Sequence, residues 1–160
     1  RFSKQARRLS ALDWTKGVEA VNKFSDGFAV LVVTQSALDE LNTRLRSQGH
    51  EAVLMSRFRP NIVLDRLEAH TEDHLNELTI QTNQASAQLH LVKPCPRCAI
   101  PDIDPETAIS SPEVNDTLRA YRTLARVDGA ICFGMNGIVH AGVGQTLAVG
   151  QQAEGNYSFE

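Results

Sequence analysis

Apolar residues along the chain change period several times, and each change marks an element. Residues 28–33 are apolar without interruption, the pattern of a short strand buried on both faces. From Ser36 the period becomes helical: Leu38, Leu41 and Leu45 share one face, Ser36 stands as N-cap with Asp39 three residues on, and Gly49-His50 ends the helix. Ile62–Leu64 is a second apolar run. Pro60 is expected to hold Arg59 extended, so that Arg57 and Arg59 share a side with Phe58 opposite. Residues 72–77 predict one short helical turn and 78–80 a short strand. Residues 85–92 alternate, with Ala87, Leu89 and Leu91 on one face and Ser86, Gln88 and His90 on the other.

Pro94, Pro96, Pro101 and Pro105 then predict a stiff ordered loop. Ser111-Pro112-Glu113 reads as a helix start, with Leu118, Tyr121 and Leu124 as its inner stripe. In the last third, apolar runs at 130–133, 138–141 and 146–149 alternate with Gly129, Gly134, Gly137, Gly142, Gly144 and Gly150, read as turns. The expected architecture is mixed and mainly β: a closed or nearly closed β-barrel containing 28–33, 85–92 and 146–149, with peripheral helices starting near Ser36 and Ser111.

A length of 160 residues, with 42% hydrophobic and 22% charged, fits one globular domain. No apolar run is long enough to cross a bilayer, and a net charge of -3 gives no global attraction to nucleic acid, so neither membrane nor nucleic acid is an expected partner. Three cysteines and no recognisable signal segment set the expectation of a cytoplasmic location. The opening run with Arg1, Lys4, Arg7 and Arg8 reads as a solvated face or as a lip over an anionic ligand. A first residue other than Met reads as a cut from a longer protein.

The candidate chemistry centres on Cys95 and Cys98. Zinc would want further soft or imidazole ligands, and only Cys132 remains; a thioredoxin-like pair would sit at a helix start rather than among prolines. A third use needs one thiolate offered by a rigid loop to a soft metal held mainly by another ligand, with Arg97 and Lys93 favouring the thiolate. The bland alternative is two small buried thiols packed under a loop. Arg57, Arg59 and Asn61 form a second candidate, since guanidiniums can fork onto phosphate while the amide reads a polar ring edge; surface pairing with Glu51, Asp65 or Glu68 is the alternative. His70 and His74, flanking Glu72 and Asp73, read as a solvated turn more readily than as metal ligands. No glycine pattern matches a phosphate loop or a dinucleotide fingerprint.

Taken in order, Met55-Ser-Arg-Phe-Arg-Pro-Asn-Ile-Val-Leu64, Thr71-Glu-Asp73, Val92-Lys-Pro-Cys-Pro-Arg-Cys98, Asp104-Pro-Glu-Thr107, Leu118-Arg-Ala-Tyr-Arg122 and Phe133-Gly134 resemble the MOSC domain, the C-terminal domain of molybdenum cofactor sulfurases. The nearest subgroup is the amidoxime-reducing one, and the clearest match runs over 31–149. The resemblance implies a β-barrel core and a bound molybdopterin-type molybdenum cofactor. It implies Cys98 as molybdenum ligand and catalytic residue, with Arg59 and Asn61 contacting phosphate and pterin; Arg57 and Arg97 are candidate cofactor-binding residues with them. It also implies an oxidoreductase for small N-hydroxylated substrates, supplied with electrons by a ferredoxin-like or flavoprotein donor. The alternative is a non-enzymatic cofactor-binding or sulfur-transfer module, and pyridoxal phosphate would belong to an upstream desulfurase rather than to this domain. Members commonly carry Trp where this chain has Leu75 and Gly where it has Ala108. They usually add an N-terminal β-rich domain, so residues 1–160 are expected to be a fragment, or a form without it, that need not be active in isolation.

Overall fold

The computed structural model describes residues 8–22 and 27–158; Arg1, Lys4 and Arg7 of the basic opening run lie outside them. In chain order the elements are β1 (Arg8–Leu9), β2 (Val21–Asn22), β3 (Val30–Thr34), α1 (Gln35–Ser47), β4 (Ile62–Leu64), β5 (Leu75–Gln81), β6 (Ser86–Pro96), α2 (Glu113–Arg119), β7 (Thr123–Leu124), β8 (Ala130–Ala141) and β9 (Ala153–Tyr157). Single 3-10 turns occupy Met55–Arg57, Thr71–His74, Ile100–Asp102 and Ala125–Val127. The fold is mixed and mainly β with peripheral helices, as the patterning predicts. The chain divides into two compact units, one of Leu31–Asp73 with Pro94–Met135 and one of Arg1–Val30, His74–Lys93 and Asn136–Glu160.

In the first unit β3 and β4 pair in parallel, Val33 opposite Val63, so α1 lies within a crossover connection. Its buried stripe of Ala37, Leu38, Leu41 and Leu45 packs in one core with Val114 and Leu118 of α2 and with Phe58 and Phe133, whose rings stack at 4.0 Å. Each fully buried Leu or Phe is worth about 1.5–3 kcal/mol. The N-cap of α1 is Thr34, not Ser36, and its hydroxyl accepts the His70 amide at 3.3 Å instead of capping the helix. Ser36 falls inside the first turn with its Oγ buried. At the other end the expected stop is found: Gly49 adopts φ +84, its amide reaches Arg46 O and the His50 amide reaches Leu45 O, a Schellman closure that a Cβ would strain.

Two expectations fail in this unit. α2 ends at Arg119, and Leu124 belongs to β7, paired with Ala130 of β8 across a turn in which Asp128 and Gly129 both take positive φ. Gly134 is not a turn but lies within β8 at φ +79, where an added Cβ would stand 2.7 Å from Val32 O. The glycine admits a close backbone approach between β8 and β3.

The second unit is built on antiparallel pairing. Leu78 faces Leu89 and Ile80 faces Ala87 between β5 and β6, and these residues, with Leu75, Leu91 and Ile138, are buried. The expected helical turn at 72–77 is shorter, because β5 already begins at Leu75, and Gly137 is again a strand residue within β8. Residues 146–149 are not a strand; they are irregular, and Val149 is fully exposed. The strand of this region is β9, paired to β5 through a bulge between Leu75 and Glu77. In neither unit is the strand order cyclic among the described residues: it ends at β4 in one and at β9 in the other, so the barrel expectation is met only in part.

Candidate functional site

The expected loop starts later than Pro94, because β6 runs on through Pro96. Cys95 is therefore a strand residue and only Cys98 stands in the loop, and the two cysteines differ in environment. Cys95, near the end of β6, packs against the core of the first unit and its Sγ accepts a hydrogen bond from Arg97 Nη1 at 3.2 Å. Cys98 is exposed, and among the described residues its thiol has no hydrogen-bond partner. The cationic help foreseen for a thiolate therefore goes to Cys95. Lys93 does not add to it: its ammonium lies over the Trp14 ring, 4.8 Å from the centroid, in the second unit. Cys132 is buried, and that burial pushes its thiol up to about 11, which makes it a poor ligand.

Arg97 ties the cysteine loop to the arginine segment. Its Nη2 donates to Phe58 O at 3.1 Å and its guanidinium stands 5.5 Å from the Phe58 ring centroid, while its backbone amide donates to Ile131 O at 2.8 Å. Residues 57–61 and 95–98 are thus neighbours despite their separation in sequence. The segment 57–61 is not the extended run that Pro60 suggests. Met55–Arg57 is a 3-10 turn, Phe58 follows in the right-handed helical region, and Arg59 takes φ +55. A left-handed conformation in a residue other than glycine costs about 1–2 kcal/mol. Here it is held by the amides of Phe58 and Arg59, which reach back to Met55 O and Ser56 O, and by Asn61, whose amide donates to Leu31 O while its Oδ1 accepts the Leu31 amide at 2.8 Å.

The three polar side chains consequently have different freedom. Arg57 is committed, pairing with Asp104 at 2.9 Å rather than with the acidic residues foreseen for it. Asp104 also accepts the amides of Thr107 and Glu106, and these bonds first, then Arg57, hold its carboxyl below the usual range. Arg59 is exposed with no side-chain partner among the described residues, and Asn61 is exposed with its NH2 unspent. What remains available is one soft thiolate donor, one guanidinium and one amide NH2. No group of three or more His, Cys, Asp or Glu among the described residues could hold a metal ion, so a metal at Cys98 would draw most of its ligands from elsewhere.

The turn at 70–74 is not the solvated one expected. Glu72 is fully buried, the His70 side chain is 11% exposed, and Arg122 pairs with Asp73 at 2.6 Å with both side chains below a tenth exposed. Burial first, then the Arg122 charge, lowers His70 to about 4, and burial raises Glu72 against weaker opposition from its own amide and Thr34. Two further residues had no signal in the sequence. Buried Asp102 and half-buried Asn115 form a pair against the loop, Asn115 Nδ2 donating to Asp102 Oδ2 at 2.7 Å and to Cys98 O at 2.9 Å.

Comparison of the sequence with known proteins assigns it to a family. The model of the MOSC domain covers residues 19–154. The chain is 34% identical over 120 residues to mitochondrial amidoxime-reducing component 1 of Mus musculus, covering 74% of this chain and 32% of that protein. It is 36% identical over 100 residues to mitochondrial amidoxime reducing component 2 of Homo sapiens, covering 62% and 28%. The chain therefore spans less than a third of the length of these relatives. The relatives are named mitochondrial components, which overturns the expectation of a cytoplasmic location drawn from cysteine usage. The chain belongs to the MOSC domain family and is related to the mitochondrial amidoxime-reducing components.

Proposed function

We propose that this chain is the cofactor-binding part of a molybdenum-dependent oxidoreductase that reduces small N-hydroxylated compounds. The observation that carries the reading is the asymmetry of the cysteine pair: Cys95 is packed and hydrogen-bonded, whereas Cys98 presents a free thiol. The donor set suits the group. Cys98 supplies the soft ligand, Arg59 a charge-assisted fork for phosphate, and Asn61 an amide NH2 for a polar ring edge. A molybdopterin-type cofactor, when bound, supplies a metal that cycles between oxidation states and accepts oxygen.

The chain's own residues do the positioning. Arg97 fastens the cysteine loop to Phe58 O, so the thiol and the guanidinium segment are held in register. Arg57 is spent on Asp104 and braces the segment from the side of the 100–104 loop. Asn61 locks the segment to β3 through Leu31 and keeps its NH2 outward. A ferredoxin-like or flavoprotein donor is the proposed source of electrons.

The test uses the full-length protein made in cells that synthesise the cofactor, with molybdenum and pterin content measured separately from turnover of an amidoxime. Cys98→Ser is expected to abolish turnover, because a hydroxyl is a far poorer soft-metal ligand. Cys95→Ser is expected to keep much of it. Full molybdenum loading with unchanged turnover in Cys98→Ser would return Cys98 to a sulfur-handling or structural role.

A further inference from the structure

We infer that Asn115, clamped by Asp102, is a positioning residue for Cys98; the inference rests on the reading of Cys98 as a metal ligand. The Asn115 amide spends its two hydrogens on two acceptors, Cys98 O at 2.9 Å and Asp102 Oδ2 at 2.7 Å. Its Oδ1 is buried and meets no donor among the described residues. Turning the amide over would face Oδ1 toward a carbonyl and a carboxylate, so the chemistry of the neighbours sets its orientation.

Asp102 completes the clamp. It is 7% exposed, and its Oδ1 accepts the backbone amide of Asn115 at 2.9 Å. Asn115 is the third residue of α2, whose amide has no acceptor within the helix, and Pro112 at the N-cap offers no side-chain bond. Asp102 therefore caps α2 from a distance. Its own backbone is fixed as well: its amide donates to Ala99 O, and its carbonyl accepts the Ser111 amide. The turn following Cys98 is thereby stapled to a helix whose Val114 and Leu118 are fully buried.

For Cys98 itself, the bond from Asn115 is the only hydrogen bond found among the described residues. Arg97 fastens the residue before Cys98 to the Phe58 carbonyl, and Asn115 holds Cys98 by its own carbonyl. A ligand without a cluster of fellow ligands needs such support, and no group of three or more His, Cys, Asp or Glu that could hold a metal ion is found among the described residues.

The test combines two variants and two kinds of readout. In this chain, amide hydrogen exchange over 98–102 and the rate of Cys98 alkylation by iodoacetamide are measured against Cys95. Asn115→Ala is expected to speed exchange over 98–102 about tenfold. In the full-length protein it should reduce molybdenum retention and kcat while leaving KM for the substrate unchanged. The swap Asp102→Asn with Asn115→Asp rebuilds an amide–carboxylate pair that caps α2 but leaves Cys98 O without a donor. It should recover the melting temperature and still exchange rapidly over 98–102. Wild-type exchange and alkylation in Asn115→Ala, or full recovery of both by the swap, would overturn the positioning role. Fast exchange in Asn115→Ala beside undiminished molybdenum in Cys98→Ser would instead overturn the metal-ligand reading and leave the clamp demonstrated.

Discussion

Two polar regions of the first unit use arginine in opposite ways. At 57–61 and 95–98, Arg59, Asn61 and Cys98 face solvent with donors or a thiol unspent, and the backbone beneath them is braced by Arg57, Arg97 and Asn115. At 70–73 with 121–122, Arg122 and Asp73 pair with each other out of water, Glu72 is fully buried with neither carboxyl oxygen hydrogen-bonded among the described residues, and the His70 ring packs edge-on against Phe133. The contrast shows that a charged, motif-like segment is read by burial rather than by composition. Charge left in water is available to a ligand at little stability cost, whereas charge removed from water holds the fold only while its partner remains.

The sharpest way to break the comparison is to remove one buried partner. Arg122→Ala should destabilise the fold by about 3–5 kcal/mol, because Asp73 is left charged and unpaired in the interior. Urea unfolding measures it, and a loss below about 1 kcal/mol would mean that water reaches Asp73 and that the two regions are alike.

Acidification gives the next largest effect. His70 titrates near 4 in the fold against about 6.5 when free, with Arg122, Asp73, Glu40 and Arg44 as the charges around it. The unfolded chain therefore takes the proton first, and stability should fall as pH drops from about 6.5 to about 4, by at most about 3 kcal/mol. Glu72 acts in the other sense. Its folded value is raised, so the stability it contributes below its ordinary value is lost as pH climbs through the raised one, and Glu72→Gln should stabilise the protein at neutral pH. Melting curves across pH for wild type, His70→Gln and Glu72→Gln check both signs; the first variant should flatten the acid limb.

The smallest effect sharpens the other side. Arg59→Gly relieves a left-handed residue and should change stability by no more than about 1 kcal/mol in the stabilising direction. The same variant should lose cofactor retention in the full-length protein, measured as pterin content. A stability loss larger than that would place Arg59 among the structural arginines with Arg122.

Much of this was readable from residue order where a local pattern decides the outcome. The alternation that buries Ala87, Leu89 and Leu91, the stripe of α1 and the Gly49 stop depend on neighbours within a few positions, and all are found. The proximity of 57–61 to 95–98 also followed from chemistry, since an anionic cofactor needs its donors and its soft ligand together. What escaped depends on distant partners. Thr34 stands at the N-cap of α1 with its hydroxyl turned to the distant His70 amide, and Arg59 leaves the extended region where Leu31 fixes Asn61 beyond it. Gly134 and Gly137 look like turn residues until another strand is seen passing close over them. β9 escaped because Ala-Glu-Gly-Asn-Tyr has almost no apolar signal and is held by backbone pairing to β5. Asn115 and Asp102 carry no motif, and only the fold sets them against Cys98.

The bond from Arg97 to the Phe58 carbonyl spans thirty-nine positions of sequence. Such a contact forms only after a long loop has closed, and the entropy of closing it is met by the surrounding core rather than by one hydrogen bond. α1, whose backbone hydrogen bonds are local, can form early in the life of the chain, but the juxtaposition of thiol and guanidinium segments cannot. A nascent or partly unfolded molecule therefore exposes Cys98 before the 57–61 segment is fastened to its loop, and on the proposed function cofactor loading is expected to follow folding of this unit rather than to guide it.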